Sequence, residues 1–213
     1  LGLGRKGARM ETLVANFKGG TGKSTVVFNL AVWLAVQGRD VTVADLDPQR
    51  TIVDTAEIRG EYGYQPALKV VTKLPKTVPG ELMIDVGLSD MAAMRRAINR
   101  VDRVVLPVSP SQADIWATQR FLEIVAEERG AGHALEIHAF VNRADPHPLS
   151  RENDETFAAL EMLPGVIALP QKLVQRMAFR RSFSEGLAAF ELEPGGKAAA
   201  ELDDLAQALF GKA

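Results

Sequence analysis

Short apolar runs alternate along the chain with longer amphipathic segments, and most of the short runs are rich in valine, isoleucine and leucine. Parallel strands that are buried on both faces give such runs, and the helices between them give the amphipathic segments. The pattern therefore predicts an α/β fold, a doubly wound and mostly parallel sheet flanked by helices. The predicted strands cover residues 12–17, 41–46, 68–72, 82–86, 101–108, 137–142 and 166–169.

The predicted helices lie between these strands and carry apolar positions three and four residues apart. The clearest of them cover residues 23–36, 112–129, 151–160, 172–184 and 196–210. No repeat or linker interrupts the pattern, so we expect one domain over residues 11–213, preceded by an extension over residues 1–10. In this architecture a ligand is expected at the carboxyl ends of the strands.

Composition and charge exclude several classes of function. The 213 residues include no cysteine and three histidines, so we expect neither a disulfide framework nor a thiol nucleophile nor a cysteine-ligated metal centre. No apolar run reaches the ~20 residues that a membrane-spanning helix needs. The chain has 25 basic and 27 acidic side chains, but this balance hides a basic band over residues 162–184 and an acidic segment over residues 185–213.

The strongest motif is a glycine-rich loop between the first predicted strand and the first predicted helix. Glycines allow successive backbone N–H groups to face one anion, and the N-terminus of the following helix adds partial positive charge. Lys23 has the reach to contact phosphate oxygens, and the Ser24 hydroxyl is a suitable ligand for Mg²⁺. The motif predicts a nucleotide site formed by Lys18, Gly19, Gly20, Thr21, Gly22, Lys23, Ser24 and Thr25.

The loop begins with a lysine, Lys18, and has Phe17 where the common phosphate-loop pattern has glycine. The segment KGGTGKST resembles the deviant Walker A motif of the ParA/MinD superfamily of ATPases. The resemblance implies that Lys18 crosses a nucleotide-bound homodimer and contacts the phosphates of the partner's ATP. A cation supplied in this way stabilises the charge of the transferred phosphoryl group, as an arginine finger does. The family usually has Asn-Gln or Asn-Pro before this lysine, whereas this chain has Asn16-Phe17.

Two further segments extend the resemblance. DLDPQ is similar to a family box, which implies that Asp47 orients the attacking water and meets the Mg²⁺ shell, with Asp45 in support. MIDVG is similar to the family's Walker B strand, which implies that Asp85 serves the same ion and that Gly87 senses the γ-phosphate. An Asp-Pro turn and a capping aspartate are the structural alternatives for these acids. The expected ligands are ATP, ADP and Mg²⁺, and the expected catalytic residues are Lys18, Lys23 and Asp47.

The resemblance runs from about residue 11 to residue 209 and is nearest to the small ParA proteins of plasmid and cargo partition. It implies that Asn142, Arg143 and Pro170, in loops after later strands, lie at the adenine end of the nucleotide site. These are weaker motifs, and ordinary loop residues are the alternative interpretation.

The basic band supplies the candidates for DNA contact, Lys172, Arg176, Arg180 and Arg181. Spacings of four residues align the first three on one face of the predicted helix. Such a face, doubled in a dimer, would bind DNA phosphates without reading the base sequence. A solvated basic surface is the alternative, as is a role for Arg176 at the nucleotide or dimer interface. A second basic stretch is interpreted as an exposed helix face and contains Arg95, Arg96, Arg100 and Arg103.

Together these features predict an ATP-dependent dimerising switch that partitions DNA or another cargo in a bacterial or archaeal cytoplasm, associated with the nucleoid. The resemblance implies that the ATP dimer binds DNA non-specifically and that a ParB-like adaptor on the cargo stimulates hydrolysis. A MinD-like membrane-recruited ATPase and a ligase of the dethiobiotin-synthetase type are the alternatives. The last predicted helix carries acids that an anionic membrane repels, and no second acid–base constellation supports a ligase.

Overall fold

The computed structural model describes residues 10–130, 135–147 and 150–211. Seven strands form one parallel sheet in the order β3-β2-β4-β1-β5-β6-β7. Most of the predicted extension, residues 1–9, lies outside the described residues. The strands are β1 (Glu11–Val14), β2 (Val41–Asp45), β3 (Lys69–Val71), β4 (Glu81–Asp85), β5 (Arg103–Val108), β6 (Glu136–Ala144) and β7 (Ile167–Val174).

Helices cover both faces of this sheet. Side chains of α3, α4 and α5 pack on one face, and side chains of α1, α2 and α8 pack on the other. Alternate residues of a strand serve the two layers, so Leu13 packs in the first and Val14 in the second. The predicted doubly wound α/β fold is confirmed. The helices are α1 (Lys23–Val36), α2 (Thr51–Glu61), α3 (Met91–Ile98), α4 (Gln112–Arg129), α5 (Arg151–Glu161), α6 (Met177–Ser184), α7 (Ala189–Leu192) and α8 (Lys197–Phe210).

The last strand and the helix after it differ from the prediction. The strand continues to Val174 instead of ending at residue 169, and α6 begins only at Met177. Pro170 lies in the middle of β7, where the pairing with β6 is irregular. Proline lacks an N–H donor and is tolerated in a strand at such irregularities and at sheet edges. It therefore does not end the strand.

The predicted alignment of three cations on one helical face is wrong, because Lys172 lies on a strand and the helix begins only after Arg176. Lys172 is an exposed residue of β7 and pairs in register with Val141 of β6. Arg176 is the N-cap of α6, and Arg180 lies within that helix. The buried neighbours Leu173 and Val174 belong to the strand, so the helical period starts only after them.

The second basic stretch is likewise not one exposed helix face. Its first two arginines lie on α3, but Arg103 begins β5 and is only 6% exposed. Arg103 Nη2 is 3.0 Å from Glu136 Oε2 at the start of β6. Arg100 Nη2 donates a hydrogen bond of 2.9 Å to Glu11 Oε1 at the start of β1. These cations therefore pair with acids at the amino edge of the sheet.

The helix α8 packs against the domain, as its acidic polar face suggested. Its end is fixed by two arginines, since Arg39 donates to Phe210 O at 3.1 Å and Arg103 donates to Leu209 O at 2.5 Å. Within the described ranges no helix combines the length and the apolar character that crossing a membrane requires. The apolar face of α8 is buried in the layer of α1 through Leu202, Leu205, Ala206 and Leu209.

The two tryptophans lie in different environments. Trp33 of α1 is 5% exposed, and its Nε1 donates a hydrogen bond of 2.9 Å to Asp203 Oδ1 of α8. Trp116 of α4 is 54% exposed. Trp33 thus belongs to the core between α1 and α8, whereas Trp116 belongs to the surface of the opposite layer.

Candidate functional site

The glycine-rich loop joins β1 to α1 at the carboxyl edge of the sheet. Gly20 and Gly22 have φ angles of 77° and 84°, a left-handed conformation that strains residues with side chains. Gly22 is the N-cap of α1, which begins at Lys23. The loop therefore leads into an uncapped helix N-terminus, and its N–H groups are suited to bind an anion.

Two side chains of β6 hold this loop. Asn142 Nδ2 donates to Thr21 O at 2.6 Å, and Arg143 Nη1 donates to Gly20 O at 2.5 Å. A Cβ at Gly22 would lie 2.8 Å from Asn142 Nδ2, so glycine is needed there for space as well as for its φ angle. The structure thus brings Asn142 and Arg143 to the loop, where they contact its backbone.

The side chain of Lys23 is buried beside the loop. Its Nζ donates a hydrogen bond of 3.3 Å to Lys18 O. Burial lowers the pKa of this ammonium group, and the charges of Asp85 and Asp47 oppose the shift. A desolvated cation of this kind gains strongly from an anionic partner, and a phosphate in the loop would supply one.

Asp85 ends β4 and is fully buried. Its Oδ2 accepts a hydrogen bond of 2.6 Å from Ser24 Oγ, and none of the described residues donates to its Oδ1. Desolvation raises the pKa of Asp85 to about 6, although the hydrogen bond from Ser24 opposes the shift. A buried carboxylate with one free oxygen beside a hydroxyl fits a hard cation that prefers oxygen ligands.

Asp45 ends β2 and lies in register with Asp85 on the neighbouring strand. Its Oδ2 accepts hydrogen bonds of 3.1 Å from the backbone N–H groups of Ile52 and Val53 at the start of α2. Desolvation raises the pKa of Asp45, whereas these backbone hydrogen bonds oppose the shift. The carboxylate therefore caps α2 from the end of a strand.

Asp47 lies in the loop between β2 and α2. Its N–H donates to Asp45 Oδ1 at 3.2 Å, and its own Oδ1 accepts a hydrogen bond of 2.9 Å from Gln49 N. A Cβ at Gly87 would lie 2.8 Å from Asp47 Cγ. The loops that follow β2 and β4 therefore touch at Gly87, and a side chain at this position would displace the Asp47 carboxylate.

Lys18 is paired with an acid of α4. Its Nζ is 3.0 Å from Asp114 Oδ2, and the two side chains are 44% and 3% exposed. Ser111, the N-cap of α4, accepts a hydrogen bond from Asp114 N and donates one of 2.5 Å to Asp114 Oδ2. The sequence does not identify Asp114 as this partner, although the segment SQAD has the form of a helix-capping motif.

Several of these groups line one cavity of about 900 Å³, namely Lys23, Ser24, Asp47, Asn142 and Arg143. The glycine-rich loop, Ser24, Thr25 and Asp47 form its polar part. The sequence does not predict the apolar part, because its pattern indicates one helix over residues 172–184. This part is formed by the end of β7 and by α6, with Leu173, Val174, Met177, Phe179 and Phe183.

The remaining predicted residues divide between the cavity and the surface. Arg176 and Arg180 line the cavity, whereas Lys172 and Arg181 are exposed and do not line it. The structure does not bring Pro170 to the cavity either, because β7 continues beyond it for four residues. The predicted contact of Pro170 with the nucleotide is therefore not supported.

A magnesium ion fits the polar part of the cavity. Among the described residues, no group of three or more His, Cys, Asp or Glu side chains could hold a metal ion. Mg²⁺ is commonly held by one or two carboxylates, by waters and by the phosphates of a substrate. Ser24 and Asp85 supply such oxygen ligands beside the loop, and Asp47 lines the same cavity.

A known family shares this combination of loop, acids and sheet. Residues 12–188 match the family model described as the CobQ/CobB/MinD/ParA nucleotide binding domain. The chain belongs to the ParA/MinD family. Lys18 at the front of the loop makes it a member with a deviant Walker A motif, as the segment KGGTGKST predicted. Proteins of this family are ATPases.

ParA/MinD relatives cover nearly the whole chain. A ParA protein of Rhizobium radiobacter is 32% identical over an alignment of 214 positions, which covers 94% of this chain and 96% of the relative. The maintenance of carboxysome distribution protein A of Halothiobacillus neapolitanus is 30% identical over 198 residues, 88% of this chain and 90% of the relative.

A solved ParA/MinD-fold structure supports the architecture. It is a plasmid partition protein of Borrelia burgdorferi bound to AMPPNP, with a TM-score of 0.74 at 15% identity over 95% of this chain and 98% of that chain. The ParA/MinD-type P-loop fold is therefore confirmed, and the family's named members act in partition or positioning.

Proposed function

We propose that this ParA/MinD-family chain is an ATP-driven switch that partitions or positions a cargo, either DNA or a protein assembly. The observation that carries the proposal is the position of Lys18 in front of a phosphate loop whose cavity also holds Asp47. The names of the two full-length relatives, a ParA protein and a carboxysome distribution protein, support the same class of function.

The proposed site binds ATP with its phosphates in the glycine-rich loop. The N–H groups of Gly19 to Thr25 and the buried ammonium of Lys23 bind the phosphate oxygens. Ser24, Asp85 and Asp47 would hold Mg²⁺ together with the phosphates. When bound, the ion neutralises charge that develops on the phosphoryl oxygens.

Hydrolysis in this proposal depends on Asp47. Its carboxylate orients the attacking water, and Gly87 allows it to lie against the loop after β4. Lys18 leaves Asp114, enters the cavity of a second copy and stabilises the transferred phosphoryl group. The homodimer therefore forms only when ATP is bound, and hydrolysis to ADP allows the two copies to separate.

DNA contact is proposed for the exposed cations of the segment from residue 172 to residue 181. Lys172, Arg180 and Arg181 are exposed, and no acid occurs between Glu161 and Glu185. A dimer doubles their number, so the affinity for phosphates rises with dimerisation and falls with salt. Arg176 is left out of this surface, because its side chain is 27% exposed and paired with Glu201, whereas that of Arg181 is 58% exposed beside Glu185.

The remaining parts of the proposal are a cytoplasmic, nucleoid-associated cycle and a ParB-like adaptor that stimulates hydrolysis on the cargo. The buried apolar face of α8 favours partition over membrane recruitment, since a MinD-like membrane helix needs that face for lipid. If a cargo-bound stimulator completes the site, we expect a low turnover of the chain by itself.

The first experiment tests the ATPase step. We expect Mg²⁺-dependent phosphate release from ATP that is lost in Asp47→Ala, while this variant still binds ATP. Its control is Asp54→Ala, which removes an exposed acid of α2. Equal phosphate release by the wild type and Asp47→Ala would contradict the assignment of Asp47.

The second experiment tests DNA coupling. Retention on random-sequence DNA is expected with ATP but not with ADP, and it should fall steeply as salt rises. The double variant Lys172→Ala/Arg181→Ala changes two exposed cations that do not line the cavity and should lose retention. Lys73→Ala/Lys76→Ala removes the same charge from another exposed loop and should keep retention. No retention of the wild type at low salt with ATP would refute DNA binding.

A further inference from the structure

Glu201 of α8 connects the C-terminal helix to the nucleotide cavity. Its Oε1 accepts two hydrogen bonds from Arg176, of 2.9 Å from Nε and 2.5 Å from Nη2. Its Oε2 accepts a hydrogen bond of 3.1 Å from the backbone N–H of Val174. One carboxylate therefore binds both ends of the turn that joins β7 to α6.

This turn is part of the cavity wall. Val174, Gln175, Arg176 and Met177 all line the cavity. Gln175 N donates to Ala144 O at 2.9 Å, which ties the turn to the end of β6. Glu201 adds side-chain hydrogen bonds to this stretch of wall, whereas Arg176 caps α6 without a side-chain hydrogen bond to the helix backbone.

Among the described residues, the other side-chain hydrogen bonds of α8 do not reach the cavity. Asp203 lies two residues after Glu201 and accepts hydrogen bonds from Trp33 and Gln207, neither of which lines the cavity. Arg39 and Arg103 hold the far end of the helix. Of these contacts of α8, those of Glu201 are the ones that involve lining residues.

We propose that Glu201 is a positioning residue of the nucleotide site, which acts by holding Arg176 and Val174 in the cavity wall. Arg176 accordingly contributes to nucleotide binding and is not assigned to the DNA-binding surface. The proposal rests on the nucleotide binding proposed above and adds the element that shapes the apolar side of the site.

The physical reason is the geometry of a charge-assisted pair. The Arg176 and Glu201 side chains are 27% and 18% exposed, so solvent screens them only in part. The guanidinium group donates two hydrogen bonds to one carboxylate oxygen, and this fixes its orientation as well as its position. Without Glu201 the guanidinium and the N–H of Val174 lose their acceptor, and the wall loses its fixed shape before nucleotide binds.

The test compares two acids on the same helix. Glu201→Ala should weaken the binding of fluorescent ADP about tenfold, whereas Asp203→Ala should change the dissociation constant less than twofold. Both variants lose a carboxylate that α8 uses for packing, so thermal unfolding of the ligand-free proteins measures the structural part of each change. Glu201→Gln retains the size of the side chain and serves if Glu201→Ala does not fold.

A double-mutant cycle tests the route of the effect. Arg176→Ala should weaken ADP binding, and Arg176→Ala/Glu201→Ala should bind no more weakly than Glu201→Ala alone. In ATP hydrolysis the KM for ATP should rise by a larger factor than kcat falls. At saturating ATP the Arg176→Ala variant should keep DNA retention.

Each outcome bears on one proposal. Equal weakening by Glu201→Ala and Asp203→Ala, or unchanged binding by Glu201→Ala, would overturn the role of Glu201. Additive effects in the cycle would overturn its action through Arg176. Loss of DNA retention in Arg176→Ala at saturating ATP would indicate that this arginine contributes to DNA binding. Failure of the wild type to bind ADP would instead refute the proposed nucleotide site.

Discussion

The absence of a side chain at Gly87 leaves room for the Asp47 carboxylate. A Cβ at this position would lie 2.8 Å from Asp47 Cγ, closer than carbon atoms pack. Gly87→Ala should therefore displace the Asp47 carboxylate and lower Mg²⁺-dependent ATP hydrolysis about 100-fold, while nucleotide binding is kept. Phosphate release and the affinity for fluorescent ADP measure the two effects.

A control for this prediction is Gly60→Ala. A Cβ at Gly60 meets no atom within 4 Å, so this variant introduces the same methyl group without a clash. Gly60 is in α2, where alanine also favours the helix. Full hydrolysis by Gly87→Ala would show that Asp47 does not need its present position.

We expect the pair of Lys18 and Asp114 to oppose the proposed dimerisation. In the proposed cycle Lys18 must leave Asp114 to reach the partner's nucleotide, and a symmetric dimer breaks two such pairs. Lys18 is 44% exposed, so each pair contributes less than ~1 kcal/mol. Asp114→Asn should therefore strengthen ATP-dependent dimerisation about three- to tenfold in analytical ultracentrifugation.

The matched control is Glu123→Gln, which removes one negative charge from an exposed position of α4. Its dimerisation should equal that of the wild type. A weaker dimer in Asp114→Asn would mean that Asp114 supports the dimer and does not restrain Lys18.

At the scale of elements, one buried arginine ties α2 to α7. Arg59 is 1% exposed, and its Nη1 and Nη2 each lie 2.8 Å from an oxygen of Glu191. It also donates to Pro66 O at 2.9 Å and to Gly186 O at 3.0 Å. The arginine thus satisfies carbonyl groups and an acid from three segments.

Arg59→Leu should lower the free energy of unfolding by about 3–5 kcal/mol, because it leaves Glu191 largely buried without its cation. Arg59→Leu/Glu191→Leu should recover part of this loss, since it removes the unpaired charge. Urea denaturation measures both variants. A double variant that is less stable than the single one would show that the unpaired Glu191 carboxylate does not destabilise Arg59→Leu.

The sequence predicts the bounds of those helices whose start and stop signals lie next to them in the chain. The bounds predicted for α1 and α4 are confirmed, because Gly22 and Gly38 flank α1 and Ser111 caps α4. The start of α2 carries no such signal: its N-cap, Arg50, has a φ of 53° and makes no side-chain capping hydrogen bond. The cap is supplied by Asp45 from the end of β2.

The residues of the candidate site likewise fall into a predicted group and a group that was not predicted. Local motifs indicated the loop and the acids, since phosphate binding needs those residues at those spacings. The supports of the site join residues far apart in the chain, as Asp114 does with Lys18, 96 residues away, and Glu201 with Arg176. Such pairs depend on how the strands are ordered in the sheet, and hydrophobic periodicity contains no information on that order.

For the whole molecule, the distribution of charge matters more than its sum. The formal net charge is -2, and it is -5 without the first ten residues. Part of the basic charge is neutralised within the fold, as the pairs of Arg59, Arg100, Arg103 and Arg176 show. In the proposed cycle a single copy is therefore poorly suited to hold DNA, whereas a dimer would double the number of exposed cations.

Folding stability should fall in mild acid because of His138. Burial lowers the pKa of this side chain below its usual 6.5, although the hydrogen bond with Glu136 opposes the shift and the charge of Arg103 adds to it. Below pH 6.5 the unfolded chain therefore takes up a proton that the folded chain resists, and the free energy of unfolding decreases.

His138→Gln should show a weaker loss of stability between pH 7.5 and pH 5.5, measured by urea denaturation at each pH. Asp45, Glu81 and Asp85 have raised pKa values and act in the opposite direction. They are present in both proteins, so the difference between the two curves isolates the histidine. Parallel curves would show that His138 titrates alike in the folded and the unfolded chain.

The two tryptophans, one buried and one exposed, give the molecule a built-in optical reporter. Trp33 is enclosed between α1 and α8, so its emission should be blue-shifted and constant, whereas Trp116 should emit as a solvated indole. Trp116 lies two residues after Asp114, on the helix that holds Lys18. A shift of emission on adding ATP, absent in Trp116→Phe, would report release of Lys18 in real time and without a label.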